Sequence, residues 1–200
     1  MKVTQIKQQL RQTNYYSIFI DGRYGFSLPE LKVAELGIKL DQTITTSELN
    51  SLKKQSIEEK TYSACLRLIA HRSRSEGELV DYMKRKRLDQ DLIDRTIIRL
   101  GRVGLVDDLK FSRAWVSNRI NLKHSSILQI KTELRKKHIS AELISQVLDE
   151  AEIDELSLIK ILIERKRTIA RYQDSQVLMS FLSRRGFSYD KIKQALSQLN

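Results

Sequence analysis

The apolar residues of this chain follow two rhythms. From residue 15 to 28, in "YYSIFIDGRYGFSL", they fall on both sides of Asp21-Gly22, the residue pair favoured by a two-residue type I′ turn. The pattern predicts two short strands. Counting outward from the turn sets Phe19 opposite Tyr24 and Ser17 opposite Phe26, with Tyr15 and Leu28 on the same, largely aromatic face. A lone hairpin is marginal, so this face is expected to pack on a helix, and "LPELKVAELGI" supplies one directly after Pro29. Thr46 or Ser47 is then expected to cap a further short helix.

From about residue 56 the rhythm changes to threes and fours, and no strand signal remains. The stretches "YMKRKRLDQDLIDRTIIRL", "ELRKKHISAELISQVLDEA" and "FLSRRGFSYDKIKQALSQL" superimpose without gaps. Met83, Leu134 and Leu182 then coincide, as do Leu88, Ile139 and Phe187, then Ile93, Ile144 and Ile192, then Ile97, Leu148 and Leu196. A repeat of about 50 residues is the length of one supersecondary unit. Each copy resolves into three helices. Ser75 with Glu78 forms a capping box at the first copy's second helix, and Asp89, Ser140 and Ser188 stand at the starts of the third helices. The first helices are "IEEKTYSACLRLIAHR", "DDLKFSRAWVSNRINL" and "DELSLIKILIERKRTIAR"; in the second of them Phe111, Trp115, Val116 and Ile120 form a buried stripe. Asp107 and Asp108 lie where that helix must begin and are expected to cap it.

The predicted fold is therefore mainly α. Three tandem three-helix modules, 56–103, 104–152 and 153–200, form an elongated, curved array behind a hairpin-and-helix extension, 1–55. One proline and seven glycines fit a helical chain with few turns. The lone Cys65 excludes an intramolecular disulfide and fits a reducing compartment. The polar N-terminus and the lack of any long apolar run predict a cytoplasmic protein that does not enter a membrane.

Catalytic chemistry finds no footing. The glycines form no phosphate-cradling loop, so neither ATP nor a dinucleotide is expected as a cofactor. His71, His124 and His138 lack the short spacing of a zinc site, and Cys65 sits in an apolar helical stripe as a core residue. Metal or acid–base work at Asp107 and Asp108 would require further carboxylates or histidines, which the spacing does not offer.

Charge is what remains. The formal net charge is +11, which calls for a polyanion or a strongly acidic protein surface. Lys84, Arg85, Lys86 and Arg87, then Arg135, Lys136 and Lys137, then Arg184 and Arg185 occupy one recurring position, the end of each middle helix. A second series marks the first helices: Arg72 and Arg74, Arg119 and Lys123, and Arg165, Lys166 and Arg167. Cations at helix C-termini are favourable against the macrodipole without any ligand, by about 0.3–1 kcal/mol. Repetition along a stack of modules would also give a ridge suited to an extended polyanion, and the pattern alone admits both. Trp115, four residues after Phe111, is expected to face the core and not to stack on unpaired bases.

"GLVDDLKFSRAWVSNR" closely resembles the signature of the RecX regulatory family, matching it at Gly104, Leu105, Asp107, Asp108, Phe111, Trp115, Val116 and Arg119. "RSRSEGEL" is similar to that family's first-module motif and "IKTELRKKHI" to its second-module helix ending, while the N-terminal hairpin and "LGIKLDQTI" resemble the extension of longer members. The family often has glycine where His138 stands, and a Gly-Pro near Ser125 and Ser126. The resemblance implies a monomeric, non-enzymatic modulator of RecA that lodges in the groove of the RecA filament on single-stranded DNA. It would suppress ATP hydrolysis and strand exchange in DNA repair and recombination, and touch DNA through non-specific basic contacts. A sequence-specific helix-turn-helix DNA-binding protein is the alternative, distinguished by a base-reading helix and usually a dimer. An adaptor solenoid without nucleic acid would not require the charge.

Overall fold

The structure, a computed structural model, describes residues 1–199. Three antiparallel strands, β1 (Val3–Gln8), β2 (Tyr15–Ile20) and β3 (Arg23–Pro29), lie in the order β1-β2-β3. Asp21 and Gly22 both take positive φ, as a type I′ turn requires. Phe19 faces Tyr24 as expected, but Ile18, not Ser17, faces Phe26. The shift is a bulge at Gly25, where a Cβ would stand 2.8 Å from the Ile20 side chain and 3.3 Å from the Ile18 carbonyl oxygen. Only glycine lets the two backbones approach there. The buried apolar set of β2 and β3 is consequently Tyr15, Ile18, Ile20, Phe26 and Leu28, more aliphatic than aromatic. Strand β1 lies outside the sequence expectation. A second bulge brings Val3 and Ile6, three residues apart, toward the same core, which erases the alternation that marks a strand.

Helix α1 (Glu30–Glu35) follows Pro29, and α2 runs unbroken from Thr46 to His71. Its cap is Thr45, in a capping box with Glu48, rather than Thr46 or Ser47. No separate short helix exists here, because the stretch contains no glycine or proline to break it and α2 continues across residues 55 and 56. Helices α3 (Glu76–Arg85) and α4 (Gln90–Arg102) complete the first triplet. The second is α5 (Asp108–Asn121), α6 (Ile127–Arg135) and α7 (Ala141–Glu150), and the third is α8 (Glu155–Arg167), α9 (Ser175–Arg184) and α10 (Tyr189–Ser197). A 3-10 turn, Ala170–Tyr172, links α8 to α9.

The chain gathers into two compact units, Met1–Arg72 with Met83–Val103, and Ser73–Tyr82 with the chain from Gly104 onward. In the first, α2 closes the sheet through polar anchors. Ser56 Oγ donates to the Ser27 carbonyl at 2.7 Å, and the Tyr15 hydroxyl donates to the Glu59 carbonyl at 3.0 Å. The Glu59 carboxylate pairs with Arg99 of α4 at 2.8 Å. In the second unit, Phe111, Val116, Ile130, Leu134, Ile144 and Leu148 form the core of α5–α7, and Ile159, Ile163, Leu182, Phe187 and Ile192 are among those forming the core of α8–α10.

The overlaid positions do equivalent work. Arg87, His138 and Gly186 all have positive φ, and Leu88, Ile139 and Phe187 each donate an amide back to Met83, Leu134 and Leu182. All three middle helices thus end in the same left-handed reversal, with glycine only in the last. Asp89 and Ser140 accept from Leu92 and Leu143 amides as expected; Ser188 holds the cap position without a side-chain bond. No helix among the described residues is long and apolar enough to cross a membrane.

Candidate nucleic-acid interface

Within the second unit, the first helix of each following module meets the N-terminus of the preceding module's second helix. Asp107 caps its own helix, accepting from the Lys110 amide at 2.9 Å. Asp108 instead accepts from the Glu76 amide, the first of α3, at 2.8 Å. The expectation that both cap α5 is therefore corrected: Asp107 is the cap, and Asp108 serves another helix. One module on, Asp154 caps α8, while Glu155 accepts from Ile127, the first amide of α6, at 2.8 Å. A bond runs the opposite way at both junctions. Ser75 Oγ donates to the Lys137 carbonyl at 2.8 Å and Ser126 Oγ to the Arg185 carbonyl at 2.6 Å. Burial raises the Asp108 pKa; the Glu76 amide opposes the shift, and the Asp107 and Glu78 carboxylates add to it. Among the described residues no group of three potential ligands could hold a metal ion.

The two junctions share a plan but differ in charge. At the first, Glu78 pairs with Lys137 at 2.9 Å and Asp81 with His138 at 2.7 Å. Lys137 also lies 4.2 Å from the Trp115 ring centre, and its side chain is only 13 % exposed. Gly77 makes room for His138, whose Cβ would collide with any side chain at that position. At the second junction the counterparts of Glu78 and Asp81 are Gln129 and Thr132, and the small residue has changed sides, to Gly186. A cleft of about 720 Å³ opens there. Arg119, Lys123, Lys136, Arg184 and Arg185 line it, with Glu133 as the single carboxylate. Glu133 is already engaged by Arg119 and by Trp115 Nε1. Burial lowers the pKa of Arg185, whose Nη2 donates to the Lys123 carbonyl at 2.6 Å. A smaller hollow lined by Arg165 and Lys166 shares Lys123 and Arg185 with the cleft.

The remaining expected cations divide by environment. Lys84, Arg85, Lys86, Arg87 and Arg72 are exposed in the first unit; Arg74 is half-buried in the second, and Arg135 exposed. Arg167 donates to the Leu199 carbonyl at 3.3 Å. Lys137 is committed to Glu78 and the aromatic pair. Trp115 is half-buried, stacked on Phe111 at 5.7 Å and flanked by Arg119 and Lys137. Gly104 takes the positive φ that turns the chain into α5. Ser125, Gln129 and Thr132 line the cleft but carry no charge, so charge reading passes over them. Their signal lies in the overlay, where carboxylates stand at two of the three equivalent positions.

Fold and cleft together define a tandem three-helix repeat protein with a concentrated cationic surface. The model of the RecX family's first three-helix domain matches residues 62–100 and that of its second residues 107–148. Both matched models are those of the RecX family, and regulatory proteins of that name are similar to this chain over almost its whole length. The regulatory protein RecX of Listeria monocytogenes serotype 4a is 28 % identical over 204 residues, covering 99 % of this chain and 76 % of that one. That of Oceanobacillus iheyensis is 26 % identical over 209 residues, covering 100 % and 77 %. A crystal structure of a regulatory protein RecX has the same fold, with TM-score 0.69, 22 % identity, and 96 % and 98 % of the two chains covered. RecX from Lactobacillus salivarius gives 0.61 at 22 % identity over 71 % and 96 %.

Proposed function

We propose that this chain regulates the RecA recombinase without catalysing a reaction of its own, lodging as a monomer in the groove of the RecA filament on single-stranded DNA. It slows ATP hydrolysis and strand exchange there and meets DNA through non-specific basic contacts. The extension, 1–55, and the modules 56–103, 104–152 and 153–200 are its working parts, and the cytoplasm, where Cys65 stays reduced, is its place of action. The reading rests on the likeness to the RecX family and on one observation: five cations from two recurring series converge on one cleft whose single carboxylate is already engaged. Arg85, Lys136 and Arg184 occupy the same overlaid position, are exposed, and have no ion-pair partner among the described residues.

Reversing those three residues together is expected to weaken association with RecA-coated single strands far more than any single reversal, because linked sites multiply in their effect. Affinity of the parent for bare DNA should fall as salt rises. Fluorescence anisotropy on RecA-coated strands, with circular dichroism to verify folding, reads the first effect; a drop in RecA's DNA-dependent ATP hydrolysis on adding the parent tests the regulatory half of the proposal. If the cations serve only the helix ends, the triple variant loses a little stability and binds the filament as the parent does.

A further inference from the structure

We propose that the cleft at the second inter-module junction is a built subsite for one phosphodiester of single-stranded DNA, with Ser125 and Arg185 as its fixed donors. The proposal rests on the reading that this protein meets DNA, and it names the place. Ser125 is 1 % exposed, yet its Oγ has no hydrogen-bond partner among the described residues. Arg185 Nε is likewise buried and unpartnered, as is the acceptor Gln129 Oε1, and all three residues line the cleft. Leaving buried donors unmade is costly, and two of them beside one opening fit an acceptor that enters from outside.

The first junction is the internal control. There the overlaid carboxylates Glu78 and Asp81 pair with Lys137 and His138, so the anions are supplied from within the chain. Substituting Gln129 and Thr132 for those carboxylates, and Gly186 for His138, removes the internal anions and the side chain that would fill the space. Arg184, Lys123 and Lys136 then contribute mobile charge around the fixed donors. Phe181 and Leu128 form an apolar wall on which an unpaired base can lie; in a duplex the bases are turned inward, away from such a wall.

The test restores the first junction's chemistry to the second. Q129E/T132D should lower affinity for a fluorescent oligothymidylate about tenfold or more and reduce the slope of log affinity against log salt by about 0.7 for each phosphate that is no longer neutralised. S125A, which changes no charge, should lower affinity between about two- and tenfold, an effect that a simple cationic rim does not produce. Duplex DNA of equal length should be less affected by both variants. Parent-like affinity and slope in Q129E/T132D and S125A would overturn the subsite. So would equal losses of affinity for oligothymidylate and polyglutamate, which would mark a surface for acidic protein. RecA-dependent ATP hydrolysis, measured on the same preparations, separates the two claims: a parent that binds oligothymidylate through the subsite but leaves RecA unaffected keeps the subsite and refutes the regulator.

Discussion

Asp107 and Asp108 are neighbours in sequence that serve different helices, and their substitutions should behave differently. Asp107→Ala removes the α5 cap and is expected to cost about 0.5–2 kcal/mol, whereas Asp107→Asn should retain most of the stability. Asp108→Asn keeps an oxygen for the Glu76 amide and discards a carboxylate whose charged form is disfavoured by burial and by two neighbouring carboxylates. Because the folded-state pKa is raised, the favourable contribution of Asp108 is present at low pH and lost as pH rises through that pKa. Asp108→Asn should therefore be at least as stable as the parent at neutral pH, with its advantage shrinking on acidification. Denaturant titrations at several pH values read both effects. The caps are legible in the sequence, but which helix Asp108 serves is not: its partner lies 32 residues away, and local spacing says nothing about it.

At the scale of elements, α5 and α7 are tied at their rims by Arg113 and Glu150, 2.8 Å apart. Hydrogen bonds from Arg113 and then Gln146 hold the Glu150 carboxyl down to about 2. A depressed carboxylate stabilises above its ordinary titration range and ceases to do so as pH falls toward the folded value. Glu150→Gln should accordingly melt below the parent at pH 6 and approach it near pH 2, as followed by thermal unfolding on the ellipticity signal. Periodicity finds the helical triplets because each carries a continuous apolar stripe repeated at fixed spacing. It misses β1 and misaligns β3 because a bulge moves side chains between faces without altering composition. It also divides α2, since a cap-like Thr-Thr-Ser run marks a start but gives no information on length.

For the whole molecule, the charge of +11 sets two responses to salt with opposite signs. Screening relieves repulsion among cations that lack carboxylate partners, so the melting temperature should rise between about 0.05 and 0.5 M salt, while affinity for DNA falls. A melting temperature that declines with salt would show instead that attractive pairs dominate the surface. Basicity and its recurrence can be read from the sequence, but their sorting into committed and available cations cannot. Lys137 and Arg185 occupy equivalent positions, and only the residues across the junction make one a buried partner and the other an open donor.

The serine hydroxyls that reach across each junction also give the array a direction. Ser75 and Ser126 donate forward to the next module, and the third residue at that overlaid position is Asp174, whose carboxylate accepts from Gln176 and Val177 at the start of α9. An ionised carboxylate has no proton to donate. The bond that joins the first module to the second and the second to the third therefore has no counterpart at Asp174, whose oxygens are spent on the start of its own helix.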